Sequence, residues 1–520
     1  MKVLFLTRHF GCLRNFEGPV FELTARGHSV HLVAHQDDIL GGQPMVERWA
    51  ASNPRITWER LPEPAPTEWD DLAVRFRLIV DYLRYLDPQY KTASGLVKRA
   101  VIRTPQIVLD ATKRPLFRSA VGRRLLRLGL GMLERALPRA AHVDDFLRSK
   151  AADVVLLTPL LALGSEEMDY LEAALDLGLP AAFCVWSWDN LSSKALLRSL
   201  PHAVLVWNET QKREAVRLHR VPRRRVVVTG AQSFDHWFTW RPERTREAFL
   251  AAVGLPPDRP YLLWVCSALL KGSAPEAPFV RQWIERLRAS GQPGLRDAAV
   301  LIRPHPSRKT EWETVSLEGL GPVSLWGANP VDTDARRDYF ESLRYASAVA
   351  GLNTSAFLEA AILERPVYTL MLPEHRDNQQ GTLHFDYLLR EGGGLLQAAN
   401  GWDEHLAALA DALRLPPGTP SERSAAFVRR FIRHLGLDVN ATTLFVGQVE
   451  RLAASHPRRR RPPVWLPLAQ RVLGRLKVKA GEPEGRRLLM TPRELEREAR
   501  IRARRSEKDR LRRAQQMATR

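Results

Sequence analysis

The sequence predicts an α/β protein of two doubly wound domains, with a helical insertion in the first and a basic helical tail after the second. Three observations carry that prediction. Short apolar runs alternate with amphipathic helical stretches, starting with a run over 2–7, a helix over 15–26 and a run over 29–34, and such alternation implies parallel strands joined by crossover helices. The pattern occurs twice, because prolines and charges over 240–260 interrupt it before a new apolar run opens at Tyr261. Polar residues gather directly after successive runs, where a parallel sheet presents its carboxyl ends. A chain of 520 residues with 45% apolar composition exceeds one core and suits two or three. We place the first domain at 1–245 with the insertion at about 62–150, the second at 246–455 and the tail at 456–520.

The formal charge of +20 is concentrated in the tail, where 21 lysines and arginines meet seven acidic residues over 456–520. Any inference toward polyanions therefore belongs to the tail rather than to the chemistry of the core. The first apolar run meets Arg8 and His9 too soon for a secretory leader, and no run approaches the roughly eighteen apolar residues of a membrane span. We expect a cytoplasmic protein, at most peripheral on the inner face of the plasma membrane. Cys12, Cys184 and Cys266 are scattered without CxxC spacing, which argues against a disulfide framework and structural zinc, so neither a cofactor nor a metal is expected.

Within the first half, Gly27 ends the opening helix, and the absence of a Gly-x-Gly-x-x-Gly fingerprint argues against a wrapped dinucleotide. Pro62, Pro64 and Pro66 then break the chain, and basic amphipathic runs follow over 72–86 and 121–137. These read as inserted helices whose arginines, interleaved with leucines, also suit an anionic membrane surface. Apolar runs resume over 153–157, 181–186, 203–207 and 225–229. The second of them ends in a polar, aromatic loop from Ser187 to Lys194, where Asp189 is a candidate base and Asn190 or Lys194 a candidate to position it. Asn208, a candidate acceptor contact, and Gly230, a candidate donor contact, follow the next two. Recurring polar strand ends are a stronger sign of a cleft than any single residue.

The second half opens with a run over 261–266, after which Ser267 starts a loop able to wrap a phosphate. A further run over 298–302 leads straight into Arg303-Pro304-His305-Pro306. The prolines fix the loop around a forked cation and an imidazole, a pair suited to a departing diphosphate; Arg303 on a phosphate would be worth on the order of 1.5–3 kcal/mol. Nucleotide chemistry concentrates in the stretch 349–385. Asn353, Thr354 and Ser355 are strong N-cap residues ahead of a helix that Pro366 must end, so a diphosphate there would meet unpaired backbone N–H groups and two hydroxyls. Glu359, one turn further on, is placed to take both hydroxyls of a ribose. The loop 374–384 offers Glu374, Gln379, Gln380, Thr382 and His384 to the transferred group or the acceptor. Asp332-Thr333-Asp334 imitates a metal-binding pair but precedes a helix over 336–345, so we read it as capping. Helices over 402–413 and 421–435 close the domain. The final helix, 492–516, lacks an apolar stripe and reads as a solvated or partly disordered arm.

Arg303-Pro304-His305-Pro306, followed by Asn353-Thr354-Ser355 and Glu359 ahead of a strand, resembles the C-terminal domain of GT-B glycosyltransferases, nearest to the CDP-glycerol glycerophosphotransferase-like group. The likeness is local, and Asn353-Thr354 stands where that group has a doubled serine. It implies two facing Rossmann-like domains with the site in the cleft, last helices that cross back to the first domain, here 442–454, and a nucleotide diphosphate held by Arg303, His305, Thr354, Ser355 and Glu359. Arg26-Gly27-His28-Ser29-Val30 likewise resembles the opening of GT-B first domains, in which the loop after the first strand faces the acceptor; this makes His9 a candidate general base. The implied reaction is a metal-independent transfer of a glycosyl or glycerophosphoryl group from a nucleotide-diphosphate donor to an acceptor hydroxyl, in cell-surface polysaccharide or related glycan synthesis. Two other readings stay open: a non-hydrolysing sugar-nucleotide 2-epimerase, and a non-catalytic nucleic-acid or membrane adaptor led by the tail.

Overall fold

The structure, a computed structural model, describes residues 1–38, 41–62, 67–164, 167–292 and 294–518. It comprises two compact units, one of 1–64, 141–162 and 167–460, the other of 65–140, 163–166 and 461–520. Among the described residues no helix is long and apolar enough to cross a membrane.

The larger unit holds two parallel sheets. Strands β1 (Lys2–Thr7), β2 (Ser29–Ala34), β3 (Ile56–Arg60), β4 (Val154–Thr158), β5 (Ala181–Cys184), β6 (Ala203–Val206) and β7 (Val226–Val228) form the first, in the order β3-β2-β1-β4-β5-β6-β7. Strands β8 (Tyr261–Val265), β9 (Ala299–Arg303), β10 (Val323–Leu325), β11 (Ala348–Ala350), β12 (Val367–Leu370) and β13 (Leu396–Ala399) form the second, in the order β10-β9-β8-β11-β12-β13. This is the two-domain, Rossmann-like GT-B arrangement. Central strands such as β4, β8 and β9 are buried along their whole length, which is why they read as unbroken apolar runs. The edge strands β3 and β10 are short and, Ile56 apart, not buried, so they lack an unbroken apolar run and were not legible as strands.

Strand order reverses beside β1 and β4 in the first sheet and beside β8 and β11 in the second, and ligands of open α/β sheets bind outside the carboxyl ends at such points. The two domains are tied together at several places. Arg336 pairs with Glu17 at 2.7 Å, Asn208 Nδ2 donates to the Phe431 carbonyl at 2.7 Å, and Tyr387 donates to Glu214 at 2.5 Å. The helix Ala441–Ala453 crosses back as expected, burying Phe445, Val446 and Val449 in the core of the first sheet. Glu450 at its far end takes both Arg26 and His28 at 2.9 Å.

The smaller unit is helical. Asp70–Tyr85, Ala120–Ala136 and Leu466–Gly481 pack around Phe76, Ala136, Ala469 and Leu473. Residues from 461 onward group with the insertion in this unit, and Ala469 and Leu473 give the first tail helix an inward apolar edge. The final helix begins at Pro492, and Glu494 in its first turn pairs with Arg75 at 3.2 Å.

Candidate functional site

The β9 strand delivers Arg303 at its last position. The guanidinium is 7% exposed, donates to the Ala328 carbonyl at 3.1 Å and stands 4.9 Å from the Tyr339 ring centre. Its Nη1 is buried without a hydrogen-bond partner, an expensive state for a charged donor unless a ligand completes it. Gly327 makes room: with φ of +119°, a Cβ there would lie 2.5 Å from the guanidinium carbon.

Two residues on, His305 begins the 3-10 turn Pro306–Thr314, and the Ser307 backbone N–H donates to its Nδ1 at 3.3 Å. That bond makes Nδ1 an acceptor and leaves the proton of a neutral ring on Nε2. Burial, with help from the Arg14 and Arg308 charges, pulls its pKa below the ordinary value, so the ring is neutral at pH 7.

The helix after β11 runs over Ala356–Ile362 and is only seven residues long. Ser355 has helical dihedrals and makes no side-chain cap bond, and Thr354 Oγ1 is met by the Ala356 N–H only at 3.4 Å. Neither hydroxyl is a strong cap, so both remain unspent toward a ligand. Asn353 does not cap either: its Nδ2 donates to the Asn378 carbonyl at 2.6 Å and lies 3.2 Å from His384 Nε2, while its backbone N–H donates to Ser267 Oγ at 3.1 Å. Ser267 is therefore a buried strut for the turn, itself held by Glu276, whose carboxyl accepts its N–H at 2.7 Å and Trp264 Nε1 at 3.1 Å.

Glu359 accepts the Tyr339 hydroxyl. Burial pushes its pKa up to about 7 despite that bond and the Arg14 and Arg303 charges, which oppose the shift. Arg14, from the turn Phe10–Phe16 after β1, is a candidate site residue that sequence reasoning missed. It makes no hydrogen bond or ion pair among the described residues, yet its charge is felt by His305, Tyr339 and Glu359 across the domain boundary. The signal available was its place in the loop after the first strand.

On the first-domain side, His9 is half-buried with Nδ1 3.7 Å from Asp38. Burial lowers its pKa more than Asp38 raises it, which leaves a neutral ring at pH 7. Asp189 is otherwise disposed. It pairs with Lys194 at 3.1 Å and accepts the hydroxyls of Ser187 at 2.6 Å and Ser193 at 2.8 Å. Burial alone would raise its pKa, but Lys194, His384 and the two hydroxyls overcome that and hold it well below the usual carboxylate range. A carboxylate so held is a poor base, and Lys194 is spent on it. Its neighbour Trp188 meets the His384 ring edge-on at 4.7 Å, so this loop joins the two domains.

Several expected contacts are occupied inside the fold. Asn190 is fully buried, with Oδ1 3.4 Å from the Trp186 N–H and Nδ2 3.4 Å from the Pro159 carbonyl. Asn208 accepts the Gln211 N–H at 2.9 Å and so caps the helix Glu209–His219. Gly230 faces Ala441 of the crossing helix, not a ligand. Gln379 donates to Thr369 Oγ1 at 3.0 Å and to the Leu370 carbonyl at 3.1 Å, and Thr382 donates back to the Gln379 carbonyl at 2.8 Å; both are buried and shape the loop. His384 is buried against Trp188 and Asn353. Of the five residues expected to offer contacts from that loop, Glu374 and Gln380 are exposed. Asn378, which had not been singled out, fastens the loop after β8 by accepting the Leu270 N–H at 2.7 Å. Asp332 caps the helix Thr333–Arg344 by accepting the Ala335 N–H at 2.8 Å.

No protein-family model and no curated relative matches the sequence. Solved structures do share the fold. A Listeria monocytogenes protein assigned as a UDP-N-acetylglucosamine 2-epimerase superposes with a TM-score of 0.50 at 11% identity, covering 89% of this chain and 99% of that one. S. aureus MnaA, solved with UDP, gives a TM-score of 0.50 at 10% identity over 88% of this chain and 100% of that one. A glycosyltransferase from Rickettsia africae gives 0.43 at 10% identity, over 92% and 97%. At such identities the two superpositions at a TM-score of 0.50 show the fold alone, two Rossmann-like domains.

Proposed function

We propose that this chain transfers a glycosyl or glycerophosphoryl group from a nucleoside-diphosphate donor to an acceptor hydroxyl, in the synthesis of cell-surface or related glycans. One observation carries the reading: Arg14, Arg303 with its unpartnered Nη1, neutral His305 and the Tyr339–Glu359 pair converge at the carboxyl end of the second sheet. Glu359 takes the ribose hydroxyls. Arg14 and Arg303 meet the negative charge that grows on the leaving group as its bond to the transferred group breaks, a nucleoside diphosphate in glycosyl transfer and a nucleoside monophosphate in glycerophosphoryl transfer, so that charge is answered by side chains rather than by a metal. His305 donates from Nε2 to the departing phosphate oxygen, and Thr354 and Ser355 offer two further hydroxyls. His9, oriented by Asp38, takes the acceptor proton as the new bond forms. Asp189 has the less suitable environment for that task.

The test is a thermal-shift screen with CDP, UDP, GDP and their sugars, followed by transfer assays with an acceptor. Stabilisation by one nucleotide series is expected, and His305→Ala should retain nucleotide binding while losing about 100-fold or more of transfer. Full activity in that variant would remove the leaving-group assignment. Interconversion of a sugar nucleotide with no acceptor present would replace the transferase by a 2-epimerase.

A further inference from the structure

Fifteen of the nineteen exposed large apolar side chains among the described residues lie in the helical unit, the other four being Leu325, Leu415, Leu435 and Leu437. They are not scattered. On the helix Ala120–Ala136, Leu126, Leu130 and Leu133 point toward the unit's own core, while Val121, Leu125, Leu128 and Met132 repeat at helical spacing on a second stripe that stays open. Val121, Leu125 and Leu128 are 69%, 61% and 55% exposed, values that a helix without a partner surface has no reason to keep. The helix packed against it, Leu466–Gly481, repeats the arrangement with Leu468, Val472 and Leu476.

The flanks of both stripes are cationic. At 100° per residue, Arg124 and Arg135 border the first, and Arg471, Arg475 and Lys479 border the second, whose helix contains no acidic residue. Near the start of the first helix, Lys113, Arg118 and Arg123 line an open cavity of about 450 Å³ together with Tyr82 and Thr112. An apolar stripe with a positive rim complements one kind of surface, in which acyl chains lie beneath negatively charged headgroups.

We propose that the helical unit docks on an anionic lipid bilayer, seating Val121, Leu125, Leu128, Leu468 and Val472 at the headgroup–acyl boundary. The arginines and lysines beside them engage headgroup phosphates.

Full-length protein would be sedimented with vesicles of phosphatidylcholine alone and with an equal mixture of phosphatidylcholine and phosphatidylglycerol. Binding to the mixture should be at least about tenfold tighter and should weaken with added salt. Leu125→Ser with Leu128→Ser, and separately Arg471→Ala, Arg475→Ala and Lys479→Ala together, should each reduce it by roughly tenfold or more, with the unfolding temperature unchanged. Should the leucine pair loosen the unit, the exposed cationic triple still decides. Equal binding to both vesicle types, no binding to either, or wild-type binding by the cationic triple would overturn the proposal. So would a concentration-dependent dimer that the leucine pair abolishes, since the stripe would then belong to a second copy of the chain.

Discussion

Glu359 shows how one side chain couples the fold to the chemistry. Its pKa is raised from an ordinary 4.5 to about 7 by burial, so the folded chain holds a proton over a range in which the unfolded chain has lost it. Keeping that residue buried therefore costs more as pH rises from 4.5 toward 7, and a stability difference between wild type and Glu359→Gln should grow in the variant's favour over that interval, measured by denaturant midpoints. Ligand binding runs the other way. Ribose hydroxyls donate, so they select the carboxylate, and affinity for a nucleotide sugar should fall as pH drops below 7, approaching about tenfold per pH unit. Calorimetry in buffers of different ionisation heat would register the released proton. Glu359→Gln should bind more weakly and lose the pH dependence, and a wild-type affinity flat from pH 6 to pH 8 would remove the ribose role. The choice of Glu359 was open to sequence reasoning because spacing alone sets it one turn from Ser355. Arg14 was not, since its relation to His305 and Glu359 joins residues roughly three hundred positions apart in the chain.

At the scale of elements, the loops after β8, β11 and β12 are fixed by polar groups spent inside the fold. Glu276 is pushed up to about 7 by burial while holding the Ser267 turn, and Gln379 and Asn378 brace the loop 374–384 from inside. Polar residue types in loops advertised binding, and the structure spends many of them on loop geometry instead; composition cannot tell these uses apart, because the same amides and hydroxyls satisfy buried backbone groups. Gly230 is a clear case. Its φ is +91°, and a Cβ there would lie 2.6 Å from Cβ of Ala441 at the start of the crossing helix. Gly230→Ala should destabilise the larger unit by about 1–3 kcal/mol in urea titrations. A stability equal to wild type would show that the helix yields at no cost.

At the scale of the molecule, the helix Ala441–Ala453 joins the end of the second domain to the first. Phe445 is 1% exposed and packs on Phe16, with ring centres 5.8 Å apart. Phe445→Ala should cost about 3–5 kcal/mol, and hydrogen exchange should show the loss in β1 and β4 rather than in the second sheet. Loss confined to the second sheet would mean that the helix stabilises its own domain alone. The sequence by itself determined the two doubly wound series, the return of this helix, the Arg303–His305 loop and the Glu359 turn, because buried parallel strands are unbroken apolar runs and helix breakers are local. Only tertiary structure decided the strand order, the edge strands β3 and β10, the grouping of the tail with the insertion, the charged groups near Arg14, and the partners of Asp189 and Asn353. Those outcomes depend on which distant groups share a desolvated space, and burial shifts charges and assigns hydrogen bonds only after the chain has closed around them.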